Sequence, residues 1–181
     1  TAAYEGVISV SEQVDMTGAR TVFLDAAAQA LAALDAMRLA EGAHLARDFE
    51  KRLARLEQQR AQVKEIAPQI VADYRAHLAE VLAEFKEVTP DETRIVQEAA
   101  LYADRVNITE ELVRLASHFA QFRAILAEEE PVGRRLDFLL QEINRETNTI
   151  GSKANNAAAQ QIVVAMKNEV EKLREQVQNL E

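Results

Sequence analysis

Glu142 and Glu146, four residues apart, have the spacing in this 181-residue chain best suited to chemistry. On a helix they sit one turn apart, about 6 Å along the axis, close enough to ligate or bridge a single divalent cation. On a wheel of about 100° per residue, Arg135, Glu142, Glu146, Thr149 and Lys153 share a sector about 60° wide, with Phe138 and Arg145 beside it. Two carboxylates bracketed by cations suit a hard metal ion at the centre and phosphate at the rim. A solvated helix carries similar charge pairs for no chemical purpose, and that is the plain alternative. Two features favour the functional reading. Phe138 is an aromatic on the face opposite the apolar stripe. Residues 131 to 158 hold Arg134, Arg135, Arg145 and Lys153 against Asp137, Glu142 and Glu146, a positive balance in a chain of net charge -9.

A second segment has related chemistry. Glu111, Arg114 and His118 lie on one flank of an apolar seam of Leu112, Leu115, Phe119 and Phe122. If the two helices pack side by side, Glu111 and His118 approach Glu146, and a mixed imidazole and carboxylate set suits Mn²⁺ or Mg²⁺ better than structural zinc. His44 and His77 have no such company and read as surface residues. No Gly-rich phosphate loop, Walker lysine or nucleophile elbow is present.

The elements that must position these groups are helical. Five Gly and three Pro are too few for the turns of a many-stranded sheet, and 48% hydrophobic residues suffice for one core. Zero cysteines exclude a disulfide framework, a Cys-ligated zinc and a thiol nucleophile. No apolar run approaches the roughly 20 residues of a membrane span, and no signal-peptide pattern is visible. The acidic balance, 30 Asp+Glu against 21 Lys+Arg, argues against indiscriminate binding to nucleic acid or anionic lipid.

Along the chain, residues 4 to 14 alternate weakly and suit one short strand or an extended lead-in. Leu31, Leu34, Leu45, Phe49, Leu53, Leu56, Val63 and Ile66 predict a long helical arm that Pro68 kinks or breaks, with the pattern resuming to Phe85. Thr89, Pro90 and Glu92 predict a helix start with a capping box. Thr109 is expected to cap the next helix, with Ile108 and Val113 as a hydrophobic staple. Leu136, Leu139, Leu140, Ile143, Thr147 and Ile150 form the core stripe of the helix bearing Glu142. Ala159, Val163, Met166, Val170, Leu173, Val177 and Leu180 alternate steps of four and three, a coiled-coil seam that calls for a partner helix. The expected fold is all-α, with at most one short strand: 1–19 a linker or strand, 20–88 a helical arm, 89–181 a C-terminal helical domain.

The run from Pro131 through Arg134, Arg135, Leu136, Asp137, Phe138, Glu142, Ile143, Asn144, Arg145, Glu146, Thr147, Asn148, Thr149, Ile150, Gly151, Ser152 and Lys153 to Ala154 resembles the signature of the YicC/YloC family of bacterial endoribonucleases. Two further segments agree: Ile108-Thr109-Glu110-Glu111-Leu112-Val113-Arg114-Leu115 with Ser117-His118, and the terminal Leu173 to Glu181. Asn107, Ala116 and Thr147 depart from the pattern. The resemblance implies metal-dependent cleavage of RNA in the cytoplasm by a homo-oligomer, with a hexamer as the expected state, and a preceding N-terminal domain that this chain, opening at Thr1, does not contain.

The expected machinery is Glu142, Glu146 and His118 as the catalytic group and Glu142, Glu146, Glu111 and His118 as ligands to Mg²⁺ or Mn²⁺. Arg134, Arg135, Arg145, Lys153 and Arg114 are the cations expected on RNA phosphates, with no DNA or membrane partner. Two mechanisms stay open: water activated by the metal, or the RNA 2'-hydroxyl as nucleophile with His118 as general base. The competing class is a helical scaffold whose arm and seam mediate assembly without catalysis.

Overall fold

A computed structural model describes residues 16–84, 92–128, 130–178 and 180. The segment expected as a strand, and Thr89 with its capping box, lie outside the described residues. Five helices follow one another: α1 Met16–Glu84, α2 Glu92–Arg105, α3 Thr109–Leu126, α4 Gly133–Lys153 and α5 Ala157–Val177. The described fold is all-α, as the sequence predicts. No described helix is long and apolar enough to cross a membrane.

Two compact units divide the chain, Thr1–His44 and Leu45–Glu181. In the first, the described part is the beginning of α1, where Val22, Phe23, Leu24, Leu31, Leu34, Met37 and Leu39 are all exposed. The second unit contains the core. Its α4 buries Leu136, Leu139, Leu140, Ile143, Thr147 and Ile150, the stripe that the wheel predicts. That stripe takes α3 on one side and α5 on the other. The remainder of α1 adds Phe49, Leu53, Leu56 and Val63 to the same cluster. Phe49 meets Phe122 of α3 edge-on, with ring centroids 5.8 Å apart. A smaller cluster joins Ile70 to Val106, Ala154 and Ala159, and Tyr74 stacks on Tyr102 nearby.

Long-range ion pairs fix the rotation of α1 in this unit. Arg123 of α3 reaches back to Glu50 and Glu57, at 2.8 and 2.7 Å. Its hydrogen bond holds the Glu57 carboxyl below the usual carboxylate range. Glu169 of α5 accepts from Arg52 and Arg55 at 3.1 and 3.3 Å.

Three expectations are corrected. Pro68 does not end the arm, because α1 continues through it for a total of 69 residues. The ring removes one backbone bond, but Pro68 and Lys64 are exposed, so the freed carbonyl can be hydrated. Val63 and Ile70, buried on either side, hold the helix together. Thr109 is the first residue of α3 rather than its cap, and no side chain caps the Ile108 position. Asn107 Oδ1 accepts the Thr109 N–H instead, at 3.0 Å. The staple is also absent: Ile108 is buried in the core while Val113 is 63% exposed.

The seam of α5 finds its partner within the chain. Ala159, Val163, Met166, Val170, Leu173 and Val177 are buried as a heptad requires, but the helix they call for is supplied by the same chain, from α4 and α1. Asn156 starts α5 by accepting the Ala159 N–H at 3.1 Å, a regular N-cap. Glycines set the spacing between α4 and α5. A Cβ on Gly151 would stand 3.0 Å from Val163 Cγ1, and one on Gly133 would stand 2.9 Å from the Leu180 carbonyl oxygen. The approach at Gly133, to a backbone oxygen, is closer than a Cβ tolerates, and the one at Gly151 is tight enough that the Val163 side chain would have to give way.

Val170 is 3% exposed at the centre of this packing. Val170→Asp buries an unpaired carboxylate and is expected to cost about 3 kcal/mol or more. A urea unfolding midpoint equal to that of the parent would contradict the packing described.

Candidate functional site

The α3–α4 pair explains how residues distant in sequence meet. Both helices bury an apolar stripe, so the residues at the stripe's border face each other across the groove. Because the helices run antiparallel, low numbers on α3 stand opposite high numbers on α4. Glu111 lies against Lys153, Arg114 against Glu146, and His118 against Glu142 and Glu146.

His118, Glu142 and Glu146 each offer a ligand atom, and these atoms all lie within 4.8 Å of one another. Glu146 is buried, while His118 and Glu142 are half-buried. His118 Nδ1 is buried and has no hydrogen-bond partner among the described residues. A buried nitrogen left unpaired is costly unless a ligand or a proton donor fills the place.

Arg114 governs how Glu146 is presented. Its guanidinium donates to Glu146 Oε1 at 3.2 Å and also binds Glu110 one turn back. The Glu146 hydrogen bond, with the Glu110 charge, raises the Arg114 guanidinium above its ordinary value. Arg114 spans two carboxylates, and Glu142 has no cation of its own among the described residues. The cluster therefore carries excess negative charge in a partly desolvated groove, a setting that favours a cation.

Glu111, expected beside Glu146, is placed elsewhere. Its Oε1 accepts from Lys153 Nζ at 2.6 Å, and its Oε2 is buried without a partner among the described residues. Lys153 also donates to the Asn107 carbonyl at 3.1 Å, tying the end of α4 to the loop before α3. Both residues are engaged in holding the two helices together.

The cations expected on phosphate divide in the same way. Arg135 is paired with Glu128, whose carboxyl it holds below its ordinary value. Arg114 and Lys153 have the partners given above. Arg134 and Arg145 are exposed, with no ion-pair partner among the described residues. Phe138 is exposed too, as are His44 and His77. Sequence reasoning did not find the double engagement of Arg114 or the Arg123 clasp. The 3–4 spacing of Glu110 and Arg114 was the one local signal for the former.

Residues 63–181 match the family model described as endoribonuclease YicC-like, C-terminal. The chain belongs to this family of YicC-like endoribonucleases. It is 42% identical over 154 residues to a probable endoribonuclease YicC of Clostridioides difficile (strain 630), covering 84% of this chain and 53% of that protein. It is 36% identical over 178 residues to a probable endoribonuclease YicC of Haemophilus influenzae, covering 98% of this chain and 61% of that protein. The chain thus spans little more than half the length of these curated relatives.

The Glu111–Lys153 pair makes a direct test of what is structural here. Lys153→Met leaves a buried carboxylate without its counter-charge and is expected to cost about 2 kcal/mol. Combining it with Glu111→Gln should recover most of that loss in urea unfolding. Strictly additive single effects would show that the two side chains do not interact.

Proposed function

We propose that this chain is the C-terminal helical part of a metal-dependent endoribonuclease that acts on RNA phosphodiester bonds in the cytoplasm. The observation that carries this reading is the convergence of His118, Glu142 and Glu146 on one point in a chain whose relatives are named probable endoribonucleases. The donor set fits a hard divalent cation. It offers two carboxylates and one imidazole, with His118 Nδ1 buried and unpartnered among the described residues.

On this reading His118, Glu142 and Glu146 hold Mg²⁺ or Mn²⁺. Such a cation supplies Lewis-acid stabilisation of charge on the scissile phosphate. Arg114 holds Glu146 by Oε1, which orients the carboxylate that would take the metal. Arg134 and Arg145 meet the RNA backbone, since they are exposed and not already paired among the described residues. Arg135 and Lys153 contribute to the positive field while serving Glu128 and Glu111. His118 serves as a ligand, or as the group that moves a proton from water or from a 2'-hydroxyl.

Changing Glu142 and Glu146 together to Gln keeps their length and helix propensity and removes two negative charges. RNA cleavage by the metal-loaded full-length protein should fall by about 100-fold or more, while RNA affinity holds or rises as phosphate repulsion drops. Calorimetric titration with Mn²⁺ should lose the binding event seen in the parent. Cleavage at the parent rate would sink this reading and leave the ridge as a solvated surface.

A scaffold role is supported by a separate observation and is compatible with the first. Seven large apolar residues between Val22 and Leu39 are exposed on α1, more than a solitary helix surface needs. We infer that this segment joins copies of the chain into a homo-oligomer, with a hexamer as the state the family resemblance implies. Light scattering at micromolar concentration should then give a multiple of the chain mass, reduced by Phe23→Lys with Leu31→Lys. A monomer in the parent would rule this out.

A further inference from the structure

Phe138 is 63% exposed and points away from the core stripe of α4, one turn before Glu142. The residues three, four and seven places from it on the helix are Arg134, Arg135, Gln141, Glu142 and Arg145, all charged or polar. Protein interfaces place aromatic anchors among apolar neighbours and deplete charge around them. A lone aromatic among polar side chains, with an arginine on the helix before and after it, is instead the pattern of a base-stacking platform with the sugar-phosphate backbone running past it. Arg134 and Arg145 stand about 16 Å apart along the helix axis, on either side of the ring. Neither has an ion-pair partner among the described residues, so a polyanion following α4 meets a cation before and after the aromatic.

We propose that Phe138 stacks an unpaired RNA base next to the His118–Glu142–Glu146 cluster, so that the strand is held with one nucleotide out of its own stack beside the carboxylates. The proposal rests on the RNA-cleaving reading above and deepens it by naming the substrate class at this position. A base must expose a face to lie on Phe138, and in a duplex both faces are covered by neighbouring pairs. Single-stranded segments, loops and bulges are therefore the RNA that this ridge accepts. Phe138 acts here as a positioning residue, because it offers no group to the reacting atoms.

The chain contains no Trp, so Phe138→Trp introduces a single indole whose fluorescence reports stacking. In chelator, where cleavage plays no part, the 181-residue chain carrying this change is titrated with a single-stranded oligoribonucleotide and with the same strand annealed to its complement. Expected are strong quenching and parent-like affinity for the single strand, with little quenching by the duplex. Phe138→Ala should weaken single-strand binding about 5- to 150-fold and leave its thermal melting unchanged. An indole that stays bright at saturation overturns the proposal, as does Phe138→Ala that binds the single strand as tightly as the parent. A loss of assembly mass in Phe138→Ala at unchanged RNA affinity would also overturn it, by assigning the ring to a protein contact. If Glu142→Gln with Glu146→Gln abolishes cleavage while the indole stays bright, only the stacking proposal falls. If the parent chain does not bind RNA, the reading beneath it falls too.

Discussion

The burial of one stripe of α4 is the constraint on which the rest depends. Leu136, Leu140, Ile143, Thr147 and Ile150 are essentially inaccessible to water because α3 and α5 cover them from two sides. A helix packed on two flanks cannot rotate about its axis without opening the core, so the direction of every other side chain on it is fixed as well. Glu146 borders the stripe and is turned toward α3, where His118 lies. Phe138 lies opposite and is exposed. The geometry of the candidate site follows first from this apolar packing, to which the Glu111–Lys153 and Arg114–Glu146 pairs add across the same two helices.

Electrostatics along the α3–α4 groove varies from one end to the other. At the Lys153 end, Glu111 is matched by an ammonium at 2.6 Å. In the middle, Arg114 is divided between Glu110 and Glu146. At the His118 end, Glu142 and His118 stand together without a cation of their own among the described residues. A groove neutralised throughout would be a structural zipper. This one leaves its deficit of positive charge at the place where three donor atoms converge, and it does so in a partly dry setting where charge interactions are strong.

Much of this was legible in the sequence because it rests on periodicity within single helices. The stripe of α4, the seam of α5 and the border positions of Glu146 and His118 all follow from 3.6 residues per turn. What sequence did not disclose depends on partners. Glu111 and Glu146 look alike on a wheel, yet one meets Lys153 and the other Arg114, since an antiparallel offset of the two helices decides the pairing. The seam of α5 predicts a partner without saying whose, and α4 and α1 supply it from the same chain. Pro68 would break an isolated helix, but buried neighbours on both sides outweigh one lost hydrogen bond. The Arg123 clasp joins residues 66 and 73 positions apart, and no local pattern announces a contact of that range.

Gly133 and Gly151 give the site a kind of ruler. Each marks a close approach of α4 to the C-terminal part of the chain, one near either end of the helix, with room for a methyl group lacking at Gly133 and scant at Gly151. Together they let α4 lie close to α5 and to the residues that follow it, on the flank away from α3. Neither glycine has a functional group, and both lie on the side of the helix away from the cluster. A side chain added at either position would push first on the packing of α4, and only through it on the His118, Glu142 and Glu146 side chains of the opposite face.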